Sequence, residues 1–160
     1  MYYVLCIIFL TVTNTSDNGT GEGIAMSNAN VELMDVALKG CSSSALFIPV
    51  FTSENTFVAT RCEFANGGRV GALVCGSLTS ATFNNCVFHD NELDGIYGNR
   101  STIHLHGEVT AIHSNGRDGI YAEETRCRII IHLPSHHNTS YNNGEDRKTT
   151  QGGTITNVED

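Results

Sequence analysis

Apolar and polar residues alternate in short runs along this chain, and the runs return at a fixed interval. In Ile103-His104-Leu105-His106 the aliphatic side chains fall on one face and the histidines on the other, as they do along an extended strand. No stretch of eleven or more residues places apolar side chains at i, i+3, i+4 and i+7, so almost no helix is expected. The segment HDNELDGIYGN, His89 to Asn99, returns as HSNGRDGIYAE, His113 to Glu123, displaced by 24 residues. Stepping by 24 from Ile24 meets Ile48, Ala72, Ile96 and Ile120; two residues later stand Met26, Val50, Val74, Gly98 and Ala122. Gly23, Gly71, Gly95 and Gly119 precede the first of these columns, with Phe47 as the one departure. A second strand is marked by Leu33, Phe57, Ala81, Leu105 and Ile129, and Cys62 and Cys86 form a short column of their own. Short strands that recur with turns and stack on themselves predict an all-β solenoid of parallel strands, about five to six coils with a period near 24.

The period breaks near the end. Ile103-His104-Leu105 recurs as Ile131-His132-Leu133, and Asn115-Gly116-Arg117-Asp118 as Asn143-Gly144-Glu145-Asp146, both displaced by 28. A four-residue insertion within Glu123 to Arg128 accounts for both, and it disfavours the ladder of His89, His113 and His137 that continued 24-residue spacing would make. The solenoid is placed at residues 1–146. Residues 147–160 are a polar cap or tail, in which Thr154-Ile155-Thr156 suits a short closing strand. The opening run MYYVLCIIFLTVT has two readings. It has the apolar length of a secretory segment without a basic start or a clear cleavage site, and it also fits a first coil or cap that continues from Phe9 to Met26. It is too short and too soon polar for a membrane span. Secretion or a cell-surface location follows only from the first reading; the compartment is otherwise open.

The step Ala81-x-Phe83-x-x-Cys86-x-Phe88-x-x-Asn91-x-x-Asp94-Gly95-Ile96 resembles the repeat of the right-handed parallel β-helix family, the fold of pectate lyases and many cell-surface proteins. The resemblance runs from about Phe9 to about Asp146. It implies the fold and leaves the activity open, because that fold hosts lyases, hydrolases, esterases, adhesins and inert spacers.

Composition narrows the partners. A net charge of -8 and a pI near 5.2 oppose a nucleic-acid or anionic membrane surface. Charged residues are 16% of the chain, and its 16 Gly against 2 Pro suggest many tight turns. The six cysteines, Cys6, Cys41, Cys62, Cys75, Cys86 and Cys127, include no CxxC pair, and they read as buried packing thiols. Asn14, Asn18, Asn99 and Asn138 head glycosylation sequons that matter only if the protein is secreted.

Four groups of residues invite chemistry. Asp94 and Asp118 stand at equivalent steps of adjacent coils, where two carboxylates one strand apart repel unless a cation intervenes; calcium with oxygen ligands would relieve them. The family resemblance adds that some pectate lyases hold calcium with acidic residues and use an arginine as base, which makes Asp94, Asp118 and Arg117 the alternative catalytic set, with Arg100 also near in sequence. The plainer reading is a solvated turn beside an amide ladder of Asn91 and Asn115. His104 and His106, with His132 one coil above His104, are the metal candidates, although outward histidines are ordinary on a sheet and no metal is assigned. Tyr97 and Tyr121 stack at equivalent steps and suit sugar rings or simple cross-strand packing. The glycine-rich Asn18 to Gly23 leads into a strand, so it lacks the helix N-terminus that a phosphate site needs. Regular coils leave no room for the long loops with which depolymerases of this fold, as the family implies, wall a cleft. The expected function is a non-catalytic scaffold or a carbohydrate- or protein-binding module, part of a longer chain or assembly because solenoid ends need caps. A polysaccharide lyase or hydrolase is the first alternative, and a cell-surface adhesin segment the second.

Overall fold

The structure is a computed structural model, and it describes residues 4–8, 10–15, 21–133 and 139–159, with side chains from residue 10 onward except Leu133. The chain runs coil by coil through three strands at a time. The first coil contains β1 (Val4–Ile8), β2 (Thr11–Val12) and β3 (Ile24–Ala25); the second, β4 (Asn30–Met34), β5 (Ala37–Lys39) and β6 (Leu46–Ile48); the third, β7 (Asn55–Thr60), β8 (Glu63–Ala65) and β9 (Ala72–Cys75). The fourth contains β10 (Thr79–Asn84), β11 (Val87–His89) and β12 (Ile96–Asn99), and the fifth β13 (Thr102–His106), β14 (Ala111–His113) and β15 (Asp118–Glu123). The last contains β16 (Arg128–Leu133), β17 (Ser140–Tyr141) and β18 (Glu145–Thr150), and β19 (Thr154–Glu159) begins another round.

Each strand pairs in parallel with its counterpart one coil away. The result is three sheets: a seven-stranded sheet A from β1 to β19, a six-stranded sheet B from β2 to β17, and a six-stranded sheet C from β3 to β18. The protein is therefore a parallel β-solenoid with no helix among the described residues, making about five turns between β4 and β19. Among the described residues no helix is long and apolar enough to cross a membrane. The opening apolar run lies partly in β1 and β2, which pair with β4 and β5. The strand expected around Ile155 is β19, and β18 adds to sheet C beside β15. Phe9, Asn18, His136, His137, Asn138 and the Cys6 side chain lie outside the described residues and side chains.

The inward faces close on one apolar column. Phe57, Phe64, Phe83 and Phe88 are fully buried at its centre. Phe83 meets Phe64 and Phe88 edge-on, while Phe64 and Phe88 lie flat on each other at 4.7 Å, both favoured aromatic geometries. Of the cysteines whose side chains are described, Cys41, Cys62, Cys86 and Cys127 are buried, Cys75 is partly so, and all five are free thiols. They fill space as small hydrophobes.

The corners depart from expectation. Tight turns were expected to rest on glycine, yet the positive-φ residue between sheets A and B is Asp35, Arg61, Asn85 or Gly107, and the one between B and C is Gly40, Asn66, Asp90, Ser114 or Asn142. Asn and Asp bear the left-handed conformation best among residues with a Cβ, so the corner code is polar more than it is glycine. Gly95 serves another purpose. A Cβ there would lie 2.5 Å from Ile112 Cγ2 and 2.8 Å from the Gly119 carbonyl, so the residue is small to let neighbouring coils approach.

Register corrects several expected columns. Ile24 pairs with Leu46, not Ile48, and Leu46 in turn pairs with Ala72, which places Ile48 beside Val74. Ala45 rather than Phe47 is thus the residue that precedes the column, and the lone departure from small residues disappears. Val50 lies past the end of β6 and is 62% exposed. The second column divides in two: Val31, Phe57, Ala81, Ile103 and Ile129 in one, and Leu33, Ala59, Phe83, Leu105 and Ile131 in the other. The step between coils therefore varies, from 22 between β10 and β13 to 28 between β14 and β17. The expected four-residue insertion is divided as well. Ile96 pairs with Ile120 but Thr102 with Arg128, so two extra residues enter between Glu123 and Arg128; Leu105 pairs with Ile131 but Ile112 with Ser140, so two more enter after β16.

Candidate functional site

Sheet C and the corner that leads into it bring Asp94, Arg117, Asp118, Glu123 and Lys148 together. The corner is built on the amide ladder. Asn91 Nδ2 donates to Asn115 Oδ1 at 2.9 Å and to the Phe64 carbonyl at 3.2 Å; Asn115 Nδ2 donates to Asn143 Oδ1 at 2.8 Å and to the Phe88 carbonyl at 3.3 Å. Each amide thereby joins its own coil to the next, and the third rung, Asn143, is the one given by the 28-residue step.

Asp94 and Asp118 follow this ladder. They are not in a solvated turn: Asp94 is fully buried and Asp118 is 2% exposed. Glycine at 95 and 119 lets the neighbouring coils approach closely beside both carboxylates. Arg117 closes over Asp94 with both arms of its guanidinium, Nε donating to Oδ1 at 2.8 Å and Nη2 to Oδ2. The Asp118 backbone N–H donates to the same Oδ1 at 3.1 Å. Asp118 Oδ2 accepts no hydrogen bond among the described residues, although Lys148 Nζ lies at 3.4 Å and Arg117 Nε at 3.6 Å. Burial and the neighbouring Asp94 push the Asp118 carboxyl above the ordinary aspartate range, against the pull of Lys148 and Arg117. The Asp94 hydrogen bond raises the Arg117 guanidinium further, fixing its charge. Arg100 does not join the group and instead pairs with Glu124.

Beyond the acids, Tyr97 and Tyr121 stack at 4.8 Å with their planes 17° apart. Their hydroxyls converge on Glu123: Tyr97 donates to Oε2 and Tyr121 to Oε1 at 3.2 Å, with Thr150 Oγ1 2.9 Å from the Tyr121 hydroxyl. Burial and Glu123 push the Tyr97 phenol up, while the Tyr97 hydrogen bond, outweighing burial, holds Glu123 down. Arg117 and Lys148 lie 5.8 and 5.7 Å from the Tyr121 ring centroid. The two rings thus spend facing surfaces on each other, and Tyr121 meets two cations as well. Glu123, Lys148 and Thr150 went unread in the sequence. Glu123 lies 24 residues after Asn99, to which it is hydrogen-bonded, whereas Lys148 pairs with Tyr121 at a step of 27, outside any regular period.

Sheet A carries His104, His106 and His132. Leu105 pairs with Ile131, so the step is 26 rather than 28 and His132 stands one rung beyond His106, not His104. The rings of His106 and His132 stack at 3.8 Å, and His104 Nδ1 lies 2.9 Å from His132 Nε2. One ligating nitrogen from each imidazole falls within 4.8 Å of the other two, and all three residues are half-buried. Burial and His132 lower the His104 pKa. On sheet B, His89 stacks on His113 at 5.2 Å and His113 on Tyr141 at 5.1 Å, so Tyr141 takes the rung that a 24-residue period would have given to His137. His89 is tied to Glu63 and Asp90 at 2.8 and 2.6 Å, and Glu63 also to Lys39 at 2.6 Å. Burial works against both partners, but the ion pairs prevail, raising His89 and lowering Glu63.

No protein-family profile, curated protein or solved structure matches this chain.

Proposed function

We propose that the chain is a non-catalytic module of the right-handed, pectate-lyase-like kind, a rigid scaffold whose outward faces engage a polysaccharide or protein. The observation that carries this reading is the bidentate closure of Arg117 over the fully buried Asp94. General acid–base chemistry needs a group that can reach the substrate's proton, and Asp94 spends both oxygens on Arg117. A base is no easier to find in Arg117, whose charge is fixed by that contact. The buried acids read as an internal clamp between the fourth and fifth coils. Calcium has no call on Asp94, because the guanidinium already supplies the positive charge there.

The sheet C face supplies the candidate contact surface. Tyr97, Asn99, Tyr121 and Glu123 form one hydrogen-bonded row, and a flat row of phenols, amide and carboxylate suits a polar, extended ligand. The rings lie against each other, so contact is expected through their edges and hydroxyls more than through open ring faces.

The test is incubation of the protein with pectate, alginate and neutral polysaccharides, with calcium or with chelator, scoring new reducing ends and unsaturated products together. No new chain ends are expected under any condition. Cleavage that disappears in Asp94→Asn and Asp118→Asn would establish an enzyme instead. Retention on an immobilised polysaccharide that weakens in Tyr97→Ala, a change at the surface of sheet C, would identify the ligand as carbohydrate.

A further inference from the structure

The three histidines of sheet A are brought together by two separate features of the chain. Alternation along β13 places His104 and His106 on the same outward face. The 26-residue step of β16 then brings His132 beside them, its ring on His106 and its Nε2 2.9 Å from His104 Nδ1. A hydrogen bond between two imidazoles uses one proton between two nitrogens, and that proton occupies the point toward which both lone pairs are aimed.

We propose that His104, His106 and His132 form a binding site for a divalent transition-metal ion of the zinc, nickel and copper class. Imidazole suits these ions. Tetrahedral coordination with metal–nitrogen bonds of about 2.0 to 2.1 Å places ligand nitrogens about 3.4 Å apart. The three nitrogens already lie within 4.8 Å of one another, so small side-chain rotations bring them to that spacing while the backbone stays in place. Two of the three are now closer than a metal requires, and the ion would part them as it replaces their shared proton.

The neighbouring rungs decide which class of ion fits. On one side, β10 presents Thr82 and Asn84 opposite His104 and His106; on the other, β19 presents Thr156 and Val158 opposite Ile130 and His132. None of these four is a carboxylate, so among the described residues these rungs offer none of the anionic oxygen ligands that calcium and magnesium need. The half-buried setting leaves a coordination position toward solvent, and three histidines plus water is an established donor set for zinc. The site stands on sheet A and is independent of the Tyr97–Tyr121 face.

The experiment titrates the chelator-stripped protein with Zn2+ and Co2+ against a chromophoric competitor. One equivalent is expected, with a visible Co2+ band of nitrogen and oxygen ligation and none of the charge-transfer absorption of thiolates. Each of His104→Gln, His106→Gln and His132→Gln should weaken binding about 100-fold or more, beyond the ~10–100-fold cost of losing an outer partner of a ligand. His113→Gln, on sheet B, should leave the affinity unchanged. Nitrogen-15 spectra of the wild-type imidazoles provide a measurement that needs no variant: Zn2+ should shift these three side chains together. Saturable binding that survives the His106→Gln/His132→Gln double change, shifts confined to other histidines, or no binding of either ion would each overturn the proposal.

Discussion

Sheets A and C each bring like groups together across neighbouring coils, and they resolve the crowding differently. On sheet C and its corner two carboxylates are buried one rung apart, and Arg117 and Lys148 lie beside them. On sheet A three imidazoles meet at the surface, and the facing positions of the adjacent strands are Thr82, Asn84, Thr156 and Val158. The carboxylates are tied into the fold by the cations beside them; the imidazoles meet one another, through the His104–His132 contact and the His106–His132 stack. Stacking in a solenoid makes like-group ladders easily, so a ladder alone says little about function. The groups opposite the ladder say more.

The largest effect should come from breaking the compensation. Arg117→Ala leaves Asp94 buried without its cation, which is expected to cost about 3 kcal/mol in urea-induced unfolding, the low end for a broken buried pair because Arg117 itself is 45% exposed. Asn115→Ala follows at about 2 kcal/mol by the same measurement, since it strands the buried amide and N–H of Asn91 together with the Phe88 carbonyl. Asp118→Asn should act in the opposite sense. The folded protein holds the Asp118 proton more tightly than the unfolded chain does, so this group's contribution is favourable at low pH and declines as pH rises from the unfolded aspartate pKa through the raised folded one. The amide variant should therefore equal or slightly exceed the wild type at neutral pH and lack this decline, as denaturation curves from acid to neutral pH would show. The smallest effect is expected on the other sheet. His104→Gln should change the unfolding free energy by about 0.5 kcal/mol, the low end for losing one part-buried hydrogen bond.

Much of this arrangement was legible in the sequence where the corners keep a constant length. From β8 to β14 and from β9 to β15 the 24-residue step holds between Cys62 and Cys86, Asn91 and Asn115, Ile96 and Ile120, and Tyr97 and Tyr121, so these pairs were foreseen. Register failed where a coil departs from 24 residues by two, as in the 22-residue step from β3 to β6. A slip of two preserves which face a side chain takes, so Phe57, Ala81 and Leu105 are all buried although they belong to two columns. The hydrophobic pattern cannot register that error, because it reads parity and not corner length. The same blindness put His132 over His104. The burial of Asp94 and Asp118 was hidden for another reason: it depends on Arg117 folding back across a rung and on Lys148 arriving at a step of 27, and neither contact has a periodic signature.

The central claim is that Arg117 and Asp94 are a structural clamp. A double-mutant cycle of Arg117→Ala and Asp94→Asn, read as unfolding free energy in urea, tests it most directly. The clamp predicts strong coupling: once Asp94 is neutral, Arg117→Ala should cost far less than its ~3 kcal/mol in the wild type. Equal costs in both backgrounds would mean that the two residues stabilise the fold separately, and the clamp would be wrong.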